Sequence, residues 1–177
     1  MLNRLLRKST LKADARKAYG AIVAAARHPA LYTTCGVADT IDGRFEMIVL
    51  HGFLVMDRLL GHGANAQNLG QALADEIFAD MDRSLREMGV GDVAVPKKVR
   101  KMAEAYYGRV AAYNAALADS NPQRLIDALN RNVFPDQPHE ASATKLAAYV
   151  RQVGAALASQ AIGPLCQGEI SFPEPMP

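Results

Sequence analysis

The residues with the clearest potential for chemistry are four carboxylates crowded into eight positions, Asp75, Glu76, Asp80 and Asp82. In a helix, Glu76 and Asp80 lie one turn apart and could share a magnesium ion, as in all-α prenyltransferases. Such enzymes hold a diphosphate with a second acidic motif on a much longer chain, and this 177-residue sequence has neither. We therefore interpret the four carboxylates as a solvated acidic helix face.

The other candidate catalytic patterns are incomplete. His139 and Glu140 begin like a zinc-protease motif, but Ala143 occupies the position of the second histidine. Gly89 and Gly91 enclose a segment too short for a phosphate-binding loop, and no lysine–serine pair follows them. The four histidines and two cysteines share no metal-ligand spacing, and no serine lies in a nucleophile elbow. The sequence therefore predicts a protein that is not an enzyme and has no metal or cofactor.

Charge is distributed unevenly along the chain, although the net charge is only +2. Residues 1–17 carry six basic side chains and one acidic one (net +5), whereas residues 42–92 carry four basic and nine acidic ones (net −5). This distribution is not the uniformly basic face of a nucleic-acid-binding protein, so we predict no specific nucleic-acid partner.

Two basic segments nevertheless stand out. The first has leucines on one side of a helical wheel and cations on the other, namely Leu2, Leu5 and Leu6 against Arg4, Arg7 and Lys8. It predicts contact with an anionic membrane surface or a ribosome, or a remnant of a targeting sequence, the alternative being a frayed terminus. The second segment, residues 97–101, places Lys97, Lys98, Arg100 and Lys101 at a helix N-terminus, where positive charge is mildly unfavourable. It indicates either a binding site for an acidic partner, phosphates or lipid headgroups, or a solvated patch facing the acidic middle of the chain.

The composition and periodicity favour helices throughout. Hydrophobic residues make up 50% of the chain and charged residues 21%, and 31 residues are alanine. Apolar residues recur at helical spacing and no segment alternates with period two, so we predict an all-α protein of about six or seven helices. The predicted helices cover residues 10–27, 29–34, 42–60, 66–88, 96–118, 122–133 and 140–160. The helix at 42–60 is apolar almost all round and is expected to be central.

The predicted organisation has three parts: a basic amphipathic segment (1–9), a helical domain (10–162) and an irregular proline-rich tail (163–177). No run of 18 apolar residues could span a membrane, and the N-terminus lacks the features of a secretory signal. Cys35 and Cys166 lie far apart in no motif, as is typical of a reducing compartment. We therefore predict a cytoplasmic protein that lies peripherally on the inner face of the cytoplasmic membrane.

Three stretches of the sequence carry a family resemblance. They are residues 42–51 (DGRFEMIVLH), residues 78–92 (FADMDRSLREMGVGD), and KKVRKM followed by YGR within residues 97–109. Their order and spacing resemble those of the ubiquinol–cytochrome c chaperone family, in its shorter, bacterial form. The resemblance covers roughly residues 15–133 and implies an all-helical, non-enzymatic assembly factor. We assign the helical chaperone domain to residues 10–162, the last helix resting on periodicity alone. It further implies that newly made cytochrome b is guided toward ubiquinol–cytochrome c reductase, at the ribosomal tunnel exit and with a separate small partner protein.

We predict that charged residues in or beside these stretches bind the protein partner. They are Arg44, Glu46, Asp80, Asp82, Arg86, Glu87, Asp92, Lys97, Lys98, Lys101 and Arg109. Internal ion pairs are the alternative for the charges at positions 44, 46, 86 and 87. The methionines at helical spacing could line an adaptable apolar groove, although such stripes more often belong to a core.

Two other function classes stay open at this point. One is a small quinone- or lipid-binding protein, which would contain a deep, enclosed apolar pocket with convergent polar groups. The other is a ribosome- or RNA-binding module, which would have one continuous basic face joining the N-terminus to residues 97–101.

Overall fold

The computed structural model describes residues 2–135 and 138–175, with side chains from Ser9 onward. It contains α1 (Leu2–Ala26), α2 (Pro29–Thr33), α3 (Ile41–Leu59), α4 (Gly63–Glu87), α5 (Val95–Ala118), α6 (Gln123–Val133), α7 (Glu140–Ser159) and the single turn α8 (Ile162–Leu165). No strand occurs among the described residues, and the all-α prediction is confirmed. Within the same residues, no helix has an apolar stretch long enough to cross a membrane.

The chain forms two compact units, and the first combines Met1–Gly20, Leu59–Gly108 and Ala161–Ile170. Its core includes a stripe of α4 whose members recur every fourth residue and are all buried, from Leu69 through Leu73, Ile77 and Met81 to Leu85. This spacing is the amphipathic pattern of a helix that packs on one side.

The second unit combines Ala21–Arg58, Arg109–Gln160 and Ser171–Pro177. Every residue of α3 from Val49 to Val55 is buried, so this middle part of the helix is enclosed on all sides, as its apolar sequence predicted, whereas residues at both ends of α3 are exposed. The Phe53 ring lies 5.6 Å from that of Tyr113 on α5, and α6 packs against α7. A helix surrounded in this way holds its polar side chains inside the unit, where each needs a partner.

Three predicted boundaries are wrong, and one of them is the start of α4, which begins at Gly63 and not at residue 66. The first long helix begins at Leu2, not at Thr10, because residues 2–9 contain no glycine or proline and extend a helix that is already nucleated. The tail predicted from residue 163 begins inside α8, and residues 169–175 have no regular secondary structure. Gln160 holds this end of the chain, since its side-chain amide donates to the Ser171 carbonyl at 2.8 Å and accepts from the Ser171 N–H at 3.0 Å.

Candidate protein-interaction surface

The acidic face of α4 is neutralised by partners within its own unit. Glu76 accepts a hydrogen bond from Arg16 at 3.3 Å, and Asp80 accepts from the Tyr19 hydroxyl at 2.7 Å and from Arg83 at 3.1 Å. No group of three or more histidine, cysteine, aspartate or glutamate side chains is placed to hold a metal ion in the part of the chain that the structure describes. The carboxylates considered as magnesium ligands therefore serve as ion-pair and hydrogen-bond acceptors.

The segment between α4 and α5, residues 88–94, has a defined conformation. Gly89 has a φ of +80°, its N–H donates to the Arg86 carbonyl, and the Val90 N–H donates to the Leu85 carbonyl, which together form a Schellman cap. A tight turn follows, in which the Ala94 N–H donates to the Gly91 carbonyl at 2.8 Å.

Arg86 pairs with two carboxylates beside this segment, so the three side chains together carry a net charge of −1. It donates to Asp82 at 2.6 Å and to Asp92 at 2.5 Å, so one guanidinium bridges α4 and the turn. The hydrogen bond from Arg86 lowers the pKa of Asp82 below its usual value. Of the charged residues predicted here, Asp82, Arg86 and Asp92 pair with one another at the surface, where the Asp92 side chain is 88% exposed, and Glu87 is exposed as well.

Exposed apolar and basic side chains flank the same segment. Val93, in the turn, is 97% exposed and Met88 is 47% exposed. Lys97, Lys98 and Lys101 are exposed on the first turns of α5, and none forms a salt bridge with a carboxylate whose side chain the structure describes. We call Met88, Val93 and these three lysines the connector surface.

The second unit contains a buried ion pair between two residues that the sequence predicted as partner contacts. The Arg109 Nε donates to Glu46 Oε2 at 2.5 Å, and its Nη2 donates to Glu46 Oε1, which gives a two-pronged contact. Burial raises the pKa of the Glu46 carboxyl, and the hydrogen bonds from Arg109 oppose that rise. Arg44, the third such residue, pairs at 2.7 Å with Asp39 on the surface of the unit. A role in partner binding for these three residues stays a prediction.

A second buried polar cluster surrounds His51, a residue for which the sequence showed no metal-ligand spacing and predicted no binding role. Its Nδ1 lies 2.7 Å from the Met47 carbonyl, which can only accept, so Nδ1 carries the proton and Nε2 accepts from the Tyr149 hydroxyl at 2.9 Å. Burial lowers the pKa of His51 to about 4. The Phe172 ring meets the imidazole edge-on at 5.3 Å. This cluster is therefore a neutral, fully used hydrogen-bond network.

The remaining predicted features are distributed as follows. Met47 and Met81 are buried, which favours a core role for those methionines. A depression of about 420 Å³ opens beside α6, lined by Asp127, Asn130, Arg131, Pro135 and Pro138. The depression is open to solvent, unlike the enclosed pocket expected of a lipid carrier.

The predicted membrane- or ribosome-contact residues, Leu2, Arg4, Leu5, Leu6, Arg7 and Lys8, lie in the first turns of α1. Their side chains fall outside the described part of the structure. That contact stays a prediction.

Comparisons with known proteins agree with one another. Residues 33–172 match the family described as ubiquinol-cytochrome C chaperone. The chain is 23% identical over 130 residues to "Ubiquinol-cytochrome-c reductase complex assembly factor 1" of Xenopus laevis, a match that covers 73% of this chain and 64% of that protein. The crystal structure of the Cbp3 homolog from Brucella abortus superposes with a TM-score of 0.87 at 41% identity, covering 98% of this chain and 97% of that one. The chain therefore belongs to the ubiquinol–cytochrome c chaperone family.

Proposed function

We propose that this protein is a non-enzymatic assembly chaperone for ubiquinol–cytochrome c reductase and that its client is newly made cytochrome b. The family match over residues 33–172 carries the proposal, and the name of the Xenopus relative supports it. Because the matched region spans 64% of that relative, the proposal concerns the part that the two chains share. Cytochrome b is a membrane protein, so the chaperone acts on the inner face of the cytoplasmic membrane, near a translating ribosome.

The polar groups of the structure support binding in preference to turnover. Asp80 is held by Tyr19 and Arg83, and His51 is buried between Met47 and Tyr149. His28 and His139 accept hydrogen bonds from backbone N–H groups at the starts of α2 and α7, which is the work of helix caps. Groups occupied in this way stabilise the fold and leave the exposed charges to meet a partner.

Among the residues predicted to bind the partner, the structure separates two groups. Glu46 and Arg109 bind each other inside the second unit, and Arg86 binds its neighbours Asp82 and Asp92. Glu87 and the three lysines of the connector surface are exposed. We expect recognition of macromolecules to depend on this exposed group, with or without a separate small partner protein.

Deletion of the gene tests the proposed function. Assembled ubiquinol–cytochrome c reductase, measured by native electrophoresis and by the haem b spectrum of membranes, should fall, while a quinol oxidase that lacks cytochrome b should be unchanged. Pulse-labelled cytochrome b should co-purify with the tagged chaperone from detergent-solubilised membranes. The wild-type gene and the Glu76→Gln variant should both restore assembly, since Glu76 has no catalytic role in this proposal. Normal reductase levels in the deletion strain would show that the proposed function is wrong.

A further inference from the structure

The connector surface combines an apolar side chain in a hydrogen-bonded turn with lysines that form no salt bridge to a carboxylate among the described side chains. Val93 is the third residue of the four-residue turn that the Ala94-to-Gly91 hydrogen bond closes. Val95, two positions further along the chain, is fully buried. The Schellman cap at Gly89 fixes the other end of the segment. An aliphatic side chain at the corner of a turn, where polar residues and glycine are usual, is thus held in solvent by the structure around it.

The lysines of the connector surface point to one side of α5. Positions 97, 98 and 101 fall within an arc of about 100° on a helical wheel, beginning three residues after the turn. Asp92 and Asp82 share Arg86, Glu104 binds Arg100 at 3.1 Å, and Glu87 is exposed. No carboxylate whose side chain the structure describes forms a salt bridge with the three lysines, so their charges stay available to an anionic partner.

The combination of valine and lysine distinguishes between anionic partners. A ribosome or another polyanion would attract the lysines but leave the Val93 side chain in water, since an aliphatic group cannot stack on bases. A bilayer that contains anionic lipid can bind both kinds of side chain, because its phosphates attract the lysines and the apolar layer beside them accepts the valine. Charge complementarity and the apolar tip together favour the bilayer.

We propose that the connector surface docks on an anionic lipid bilayer, with Val93 entering the headgroup layer and Lys97, Lys98 and Lys101 binding lipid phosphates. Docking of this kind is reversible, because one aliphatic side chain and three cations supply only modest affinity. The proposal goes beyond the assembly role and applies to the purified protein whether or not cytochrome b is its client.

Co-sedimentation of the full-length protein with vesicles tests the proposal. The vesicles contain phosphatidylcholine alone or with about one third phosphatidylglycerol. The protein should bind only the anionic vesicles, and binding should weaken as salt is raised. Substitution of all three lysines by glutamine should lower the partition coefficient about 100-fold, at roughly tenfold for each 1.4 kcal/mol and about 1 kcal/mol for each cation. Val93→Ser should lower it by up to about tenfold.

Matched variants control for general effects of charge and apolar exposure. Leu60→Ser removes another exposed aliphatic side chain, 77% exposed, from the same unit. A triple substitution of Arg27, Arg131 and Arg151 by glutamine removes three exposed cations elsewhere. Both controls should bind vesicles like the parent protein, and circular dichroism should show that all variants keep their helices.

Three results would overturn the proposal. The first is no binding to anionic vesicles. The second is binding that survives both connector variants but disappears when residues 1–8 are removed, which would assign docking to the N-terminus. The third is binding that needs the lysines but not Val93, which would make the surface a general polyanion site. These measurements use purified protein, so their failure leaves the deletion phenotype as a separate test of the proposed function.

Discussion

Replacing Glu46 by alanine would leave the Arg109 guanidinium without the carboxylate that neutralises it. Glu46 is only 6% exposed, and the Arg109 side chain is 19% exposed. Removal of one partner from a buried ion pair typically costs about 3–5 kcal/mol, because the other charge stays desolvated. Arg109 has some access to water, so we expect the lower end of this range, about 3 kcal/mol.

Urea unfolding followed by circular dichroism measures this cost. With a denaturant slope of about 2 kcal/mol per molar urea, a loss of about 3 kcal/mol lowers the midpoint by about 1.5 M. Replacing Glu46 by leucine and Arg109 by methionine together should be nearly neutral, since a buried pair and a well-packed apolar pair have similar net stability. The single changes Glu46→Leu and Arg109→Met complete the cycle. The sum of their effects on the free energy of unfolding, minus the effect of the double change, is the coupling energy of the pair.

The exposed pair Arg44–Asp39, whose side chains are 56% and 58% exposed, provides the matched control. Arg44→Ala should change the free energy of unfolding by less than about 1 kcal/mol, because water screens both charges. If Glu46→Ala is no more destabilising than Arg44→Ala, then Glu46 and Arg109 are solvated in the folded protein and the burial argument fails.

Two further predictions concern His51 and Gly168. Burial lowers the pKa of His51 from 6.5 to about 4, so the unfolded chain binds a proton that the folded chain does not as pH falls below 6.5. The contribution of His51 to the free energy of unfolding is therefore fully present above pH 6.5, and the free energy of unfolding should fall by about 2 kcal/mol by about pH 5. The His51→Asn variant should lack this part of the pH dependence. Gly168 has a φ of +73°, and a Cβ there would lie 2.2 Å from the Asp14 carbonyl oxygen of α1. Gly168→Ala should therefore lower the stability measured by thermal unfolding more than Gly89→Ala does. At Gly89 the added Cβ would meet nothing within 4 Å, and the positive φ alone costs about 1 kcal/mol. Equal losses for the two variants would contradict the close approach at Gly168.

Much of the fold follows from apolar spacing. The apolar stripe from Leu69 to Leu85 predicted α4, and apolar residues on nearly all faces of α3 predicted its burial. Both predictions succeeded because side chains that pack in a core must be apolar at the spacing of the helix. The start of α1 was not predictable in this way. Residues 2–9 have neither a stop signal nor a long apolar stripe, and only the cooperativity of the longer helix extends it to Leu2.

The polar pairings were less accessible to sequence reasoning. Glu46 and Arg109 are 63 residues apart, and His51 and Tyr149 are 98 apart, so neither partner can be selected from local spacing. One signal was available for His51: a histidine inside a helix that is apolar all round must be buried, and a buried imidazole needs two hydrogen-bond partners. That argument predicts a network without identifying Tyr149.

The sequence left open whether the lysines at the start of α5 bind a partner or form a solvated patch, and the ion pairs of the neighbouring carboxylates favour a partner. Each cation in the first turns of a helix opposes the helix dipole at a typical cost of about 0.3–1 kcal/mol. A solvated patch facing the acidic middle of the chain would have offset that cost with nearby carboxylates. Yet Asp82 and Asp92 are bound by Arg86, and Glu104 is bound by Arg100. Because no internal ion pair offsets the repulsion at Lys97, Lys98 and Lys101 among the described side chains, the compensating charge is best sought outside the molecule, beside the exposed Val93.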